Sequence, residues 1–154
     1  MAAFRLQALL DYRHQLEERQ MVRLGAVEAE RGAAQDLLEE LHLRREEQCR
    51  RLDQLGQAQS LDAYRMREAV AHLGLIEAAI ARQREALQEV EARVDAQRDR
   101  LMEAVRDRRV LERLRDRQAA AARLESDRVE ARRADEIVTG RFGRSDAESV
   151  GKGV

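Results

Sequence analysis

Proline is absent from this 154-residue chain, and so is tryptophan. Without proline nothing forbids helix over very long runs. Phe and Tyr number two each and aromatics make up 3% of the chain, while 38% of residues are charged. Large globular cores are built from bulky apolar residues, and this composition supplies few of the bulkiest. A single cysteine, Cys49, cannot form an internal disulfide and gives no sign of an oxidising compartment. No apolar run approaches the roughly 20 residues of a membrane span. The opening FRLQALLDYR is broken by Arg5, Gln7, Asp11 and Arg13, so it does not form the unbroken apolar core of a secretion signal.

What is present points to helix. Ala, Glu, Lys, Leu and Arg account for 92 of the 154 residues, a share that marks long helices or coiled coil. The basic residues are nearly all arginine, with Lys152 the only lysine. The net charge is −1, which removes a global field toward nucleic acid or acidic lipid. These features predict a soluble, cytoplasmic chain without direct membrane insertion.

The periodicity divides the chain in two. Leu24, Val27, Arg31, Ala34, Leu38, Leu41, Arg45, Gln48, Leu52 and Leu55 keep strict 3-4 spacing, a coiled-coil seam with polar weak points. Before Leu24 the apolar phase slips, because Leu6, Leu9 and Leu16 do not extend the same register. In LGQAQSLDAY, Gly56 reads as a helix stop and Ser60 as the N-cap of a second helix, with Asp62 in its first turn. Met66, Leu73, Ile80, Leu87, Val94 and Leu101 then fall seven apart. Their companions, Val70, Ile76, Gln83, Val90, Gln97 and Val105, are half polar. That combination suits a two-stranded coiled coil.

The predicted fold is all-α, a long antiparallel two-helix coiled-coil hairpin with a protruding C-terminal helical end. Its helices are expected at 4–55 and 61–139, its turn at 56–60, and a disordered tail at 140–154. A turn near residue 58 sets residue i of the first helix opposite roughly 116 − i of the second. Phe4, Leu6, Leu9 and Leu10 then close the open end. Beyond them about 25 residues of the second helix, roughly 35 Å, project without an internal partner. RDRRVLERLRDR (Arg106 to Arg117) lies where the paired part gives way to that projection, with six arginines against three acids. A helix that stays amphipathic past its internal partner calls for an external one.

Catalytic chemistry finds no footing. No phosphate-binding glycine loop occurs. His14, His42 and His72 are too far apart for a helical metal pair, and His42 with Cys49 supplies two ligands at most. Cofactors and metals are therefore not expected, and neither is enzymatic activity. A basic-region reading for nucleic acid fails because Asp107, Glu112 and Asp116 interrupt the arginines.

FRLQALLDYR at the start, a turn near 58, DRQAAAARLESDRVEARRADEI (Asp116 to Ile137) and the closing Arg141 and Phe142 resemble the FliJ family. The more specific elements are the F-x-L-x-x-L-L-x-x-R pattern, DRQ followed by small residues, and the DE pair before RF. The resemblance implies a small component of the flagellar type III export apparatus, similar in shape to the stalk of rotary ATP synthases. It implies one end inserted in the hexameric export ATPase, contact with the membrane-embedded export gate, and binding of export chaperones. Carried onto this chain, the ATPase end comprises Phe4, Leu6, Arg13, Arg113, Arg117, Asp135 and Glu136. The gate contact comprises His72, Ile76, Ala79 and Gln83. The competing expectation is a structural coiled-coil scaffold that homodimerises.

Overall fold

The computed structural model describes residues 4–150, with side chains for 4–140. Two helices account for nearly all of them, α1 (Gln7–Gly56) and α2 (Ala63–Val150), and no strand occurs among the described residues. The chain divides into two compact units: Arg13–Arg106, and Met1–Tyr12 with Asp107–Val154.

The Arg13–Arg106 unit is an antiparallel helical hairpin, as the sequence predicts. All ten predicted seam positions of α1, from Leu24 to Leu55, are withdrawn from solvent wholly or in part. From α2, Ile76, Ile80, Val90 and Val94 are buried, and Leu73, Leu87 and Leu101 are half-buried. The facing relation is fixed by hydrogen bonds between the helices. Gln48 Nε2 donates to the Ala69 carbonyl at 2.9 Å, and Gln83 Nε2 to the Ala34 carbonyl at 3.0 Å. Gln97 Nε2 donates to both the Gln20 carbonyl, at 3.2 Å, and its Oε1, at 2.6 Å. Each pair of positions adds to 117 (48 with 69, 34 with 83, 20 with 97), one residue from the expected 116.

Four details differ from the sequence reading. The phase slip before Leu24 is absent: Gln20, Glu17 and Arg13 carry the same 3-4 spacing onward and are half-buried. A scan for apolar residues misses them because they are polar. On α2 the seam takes Ala69 and Ala104, both buried, while Val70 is exposed and Val105 half-buried. The seven-residue repeat set by Ile76, Val90 and Gln97 demands those positions, and it outweighs the larger side chain one residue away.

The second helix is capped by Asp62, not Ser60. Asp62 Oδ1 accepts from the backbone N–H of Tyr64 at 3.1 Å and Arg65 at 3.2 Å, and its carbonyl accepts the first helical bond from Met66. A carboxylate there satisfies two orphan donors and complements the helix dipole, which a serine does less well. Gly56 ends α1, as the sequence predicts, though with a φ outside the left-handed region. Lastly, α2 runs through Gly140 to Val150, where the sequence reading placed its end at 139 and a tail after it. One glycine in a helix costs about 1 kcal/mol, too little to end it when no proline follows. Thr139 Oγ1 bonds back to the carbonyls of Asp135 and Glu136 just before it. Residues 151–154 lie outside the described residues.

Between the helices of the hairpin, Arg93–Glu30 at 2.7 Å and Arg98–Glu28 at 3.1 Å flank the seam. Both pairs are half-exposed, so each contributes about 0–1 kcal/mol and favours pairing geometry more than stability. Arg31 is a genuine weak point. Its Nε is buried with no hydrogen-bond partner among the described residues.

Three outcomes follow for thermal unfolding of the full chain. Val94→Asp, at a site 1% exposed, buries a carboxylate in the seam and should cost about 3 kcal/mol. Unchanged melting would refute the seam. Arg31→Leu should stabilise by about 1 kcal/mol, since an unsatisfied donor leaves and an apolar contact replaces it. A lower melting temperature would show that the guanidinium is satisfied in solution. Gly25, Gly32 and Gly74 sit inside helices with open space where a Cβ would stand. Their combined replacement by alanine should add about 2 kcal/mol.

Candidate interaction surfaces

The second unit joins the first turns of α1 to the last stretch of α2. Its start is fastened by Gln7 N–H donating to the Phe4 carbonyl and Leu10 N–H to the Leu6 carbonyl, both at 3.0 Å. Leu10 has no exposed surface and Phe4 is half-buried, whereas Leu6 and Leu9 stay about 40% exposed. On α2, Leu111 and Arg115 are half-buried, and Arg108 pairs with Glu112 at 2.7 Å with both side chains largely covered. Glu112 is thus paired with Arg108, one helical turn earlier.

From Asp116 to Gly140 every residue is exposed. This is 25 residues of helix, about 38 Å at the α-helical rise, close to the projection predicted from sequence. Apolar side chains stand open along it: Leu124 at 60%, Ile137 at 61% and Val138 at 52%. Just before it, Val110 and Leu114 are also exposed. Val110, Leu114, Arg117, Ala121 and Leu124 keep 3-4 spacing one residue out of phase with the seam, so they form a separate stripe. Arg109, Arg113 and Arg117 follow four apart, all exposed, and make a second stripe carrying three positive charges.

The residues assigned by resemblance to the ATPase end do not form one patch. Phe4, Leu6, Arg113, Arg117, Asp135 and Glu136 belong to this unit, but Arg13 belongs to the hairpin unit, as a half-buried seam residue. Arg113 and Arg117 share a face, while Asp135 and Glu136 lie about 27 Å farther along the helix from Arg117. Sequence reasoning left Arg109 out of the ATPase end, although it stands four residues before Arg113 on the same face.

On the hairpin unit, the residues assigned to the gate contact split in two. Ile76 is buried in the seam and Gln83 donates to Ala34, so both are engaged by α1. His72 is exposed and Ala79 half-buried. These two, with Leu75 at 70% exposure, edge a shallow groove that Leu41, Arg44 and Arg51 complete from α1. The four residues thus form no free stripe; the accessible surface is His72, Leu75 and Ala79.

Among the described residues no group of three His, Cys, Asp or Glu side chains could hold a metal, and no helix is long and apolar enough to cross a membrane. Cys49 is exposed on α1 and His42 half-buried. No curated protein and no solved structure matches the chain. A family model does: the one described as flagellar FliJ protein, over residues 1–147. That match spans both helices and both units, and on it the chain belongs to the FliJ family of flagellar proteins.

Proposed function

We propose that this chain is a non-enzymatic stalk of the flagellar type III export apparatus, working at the cytoplasmic face of the inner membrane. In this reading the unit holding both the chain start and the last stretch of α2 docks in the hexameric export ATPase. The groove edged by His72, Leu75 and Ala79 faces the cytoplasmic part of the export gate. When it is not seated in the ring, the open stripe with Leu124 offers a surface to export chaperones. Family membership supplies the export setting. The observation that carries the docking is the single helix from Asp116 to Gly140, fully exposed and preceded by the arginine stripe.

Among the described residues this helix is exposed along its whole length. Isolated helices gain most of their stability in proteins from packing an apolar face. Insertion into a ring would supply that packing along Val110, Leu114 and Leu124. The arginines would meet acidic groups of the ring wall, where guanidinium binds carboxylate in two-pronged fashion. Contacts of this kind over one helix are few, which suits an interface that forms and releases.

A second reading, a homodimeric scaffold, is favoured by the same apolar stripe. Sedimentation at micromolar concentration separates the two, since the stalk reading requires a monomer and the scaffold reading a doubled mass.

Arg113→Glu combined with Arg117→Glu should leave helical content unchanged, because both side chains are exposed. Binding of the full-length chain to the purified export ATPase should weaken at least ten-fold, on the order of 1.4 kcal/mol. Equal affinity would move the contact away from the arginine stripe.

A further inference from the structure

The apolar row of α2 leaves a problem unsolved. Met66, Leu73, Ile80, Leu87, Val94 and Leu101 repeat every seven residues, so sliding α2 by seven along α1 returns an almost equivalent apolar seam. Something else must choose among the registers. We propose that the glutamines of the seam make that choice, by pairing with facing positions where the other helix leaves room at its carbonyl.

The bonds at 48 with 69, 83 with 34 and 97 with 20 share one construction. A long amide from one helix reaches over a short or polar neighbour on the other and donates to its backbone carbonyl. Ala69 and Ala34 provide the room in two cases. In the third, Gln20 adds its own side-chain oxygen. A helix carbonyl has a second lone pair to spare, so the ladder of the accepting helix stays intact. Gln48 and Gln97 are buried, at 6% and 5% exposure, and a buried amide is costly unless bonded.

Neighbouring registers undo these pairings. With facing positions adding to 124, Gln48 meets Ile76, Gln83 meets Leu41 and Gln97 meets Val27. Bulky apolar side chains would then cover the carbonyls and strand three amides. With the sum at 110, Gln83 meets Val27, Gln97 meets Arg13, and Ala69 faces Leu41 in place of Gln48. Only the observed register bonds all three. The polar positions that weaken the seam as an apolar surface are thus what makes its alignment unique. This inference is independent of any partner of the chain.

The test uses the full chain with Cys49→Ser and spin labels at Glu39→Cys and Arg100→Cys, both exposed. In the observed register residue 39 faces 78, so the labels are offset by about 33 Å along the helices; a slip to 124 makes that about 23 Å, and to 110 about 43 Å. The chain with its glutamines should give one distance peak. Gln48→Leu, Gln83→Leu and Gln97→Leu together should keep helix content and monomer mass but add a second peak displaced by about 10 Å. One unchanged peak in the triple variant would overturn the proposal, as would two peaks before any glutamine is replaced. Should the triple variant aggregate, Gln83→Leu with Gln97→Leu is the substitute. A displaced shoulder then supports the proposal and an unaltered distribution refutes it.

Discussion

A pair of helices packed side by side encloses almost nothing, so the hairpin unit depends on one line of contact, the 3-4 seam. Few of its residues are wholly buried. Val94 is 1% exposed, while Leu24, Leu38, Leu52, Leu73 and Leu87 are only half-covered. Each layer contributes a modest apolar burial, at roughly 25 cal/mol per Å², and the next layer makes a similar contribution. Stability is spread along the seam, with no centre. Alignment therefore matters more than any single side chain, because one error displaces every layer at once.

That constraint explains where the sequence was legible. Ten positions of α1 belong to the seam on spacing alone, because leucine and valine repeating at 3-4 intervals have no simpler reading. The facing relation came within one residue because a short turn between two long helices leaves little freedom. The errors arose where small or polar residues occupy seam positions. Ala69 and Ala104 lost to Val70 and Val105 in a reading that ranked by hydrophobicity, and the polar Gln20, Glu17 and Arg13 mimic a break in phase. In each case the repeat outranked the chemistry of the residue. The cap was misplaced for a different reason, since Ser60 and Asp62 are both competent and only backbone geometry decides between them.

Site residues were less legible than the fold. The resemblance assigned Ile76 and Gln83 to a gate contact although both also stood in the seam's companion row; Ile76 is buried there, and Gln83 is held by a bond to Ala34. A stripe at 4-3-4 spacing identifies a helix face but does not say whether that face is already occupied. The exposed helix from Asp116 to Gly140 gave the opposite result. Its openness followed from counting residues on either side of the turn, and all 25 of its residues are exposed. Length arithmetic was a better guide to open surface than composition. Family membership is consistent with both findings, and it adds the export setting that no side chain of an isolated hairpin could reveal.

The central claim is that α1 folds back on α2 within one molecule, with facing positions adding to 117. It is tested most directly by spin labels at Val22→Cys and Asp95→Cys in a Cys49→Ser background, diluted in excess unlabelled protein. Helices in contact lie 8–10 Å apart, so the doubled-back chain should hold the labels within about 20 Å, and dilution should not change that. A separation near 110 Å, the length of 73 residues of unbroken helix, would contradict the account. So would a short distance that vanishes on dilution.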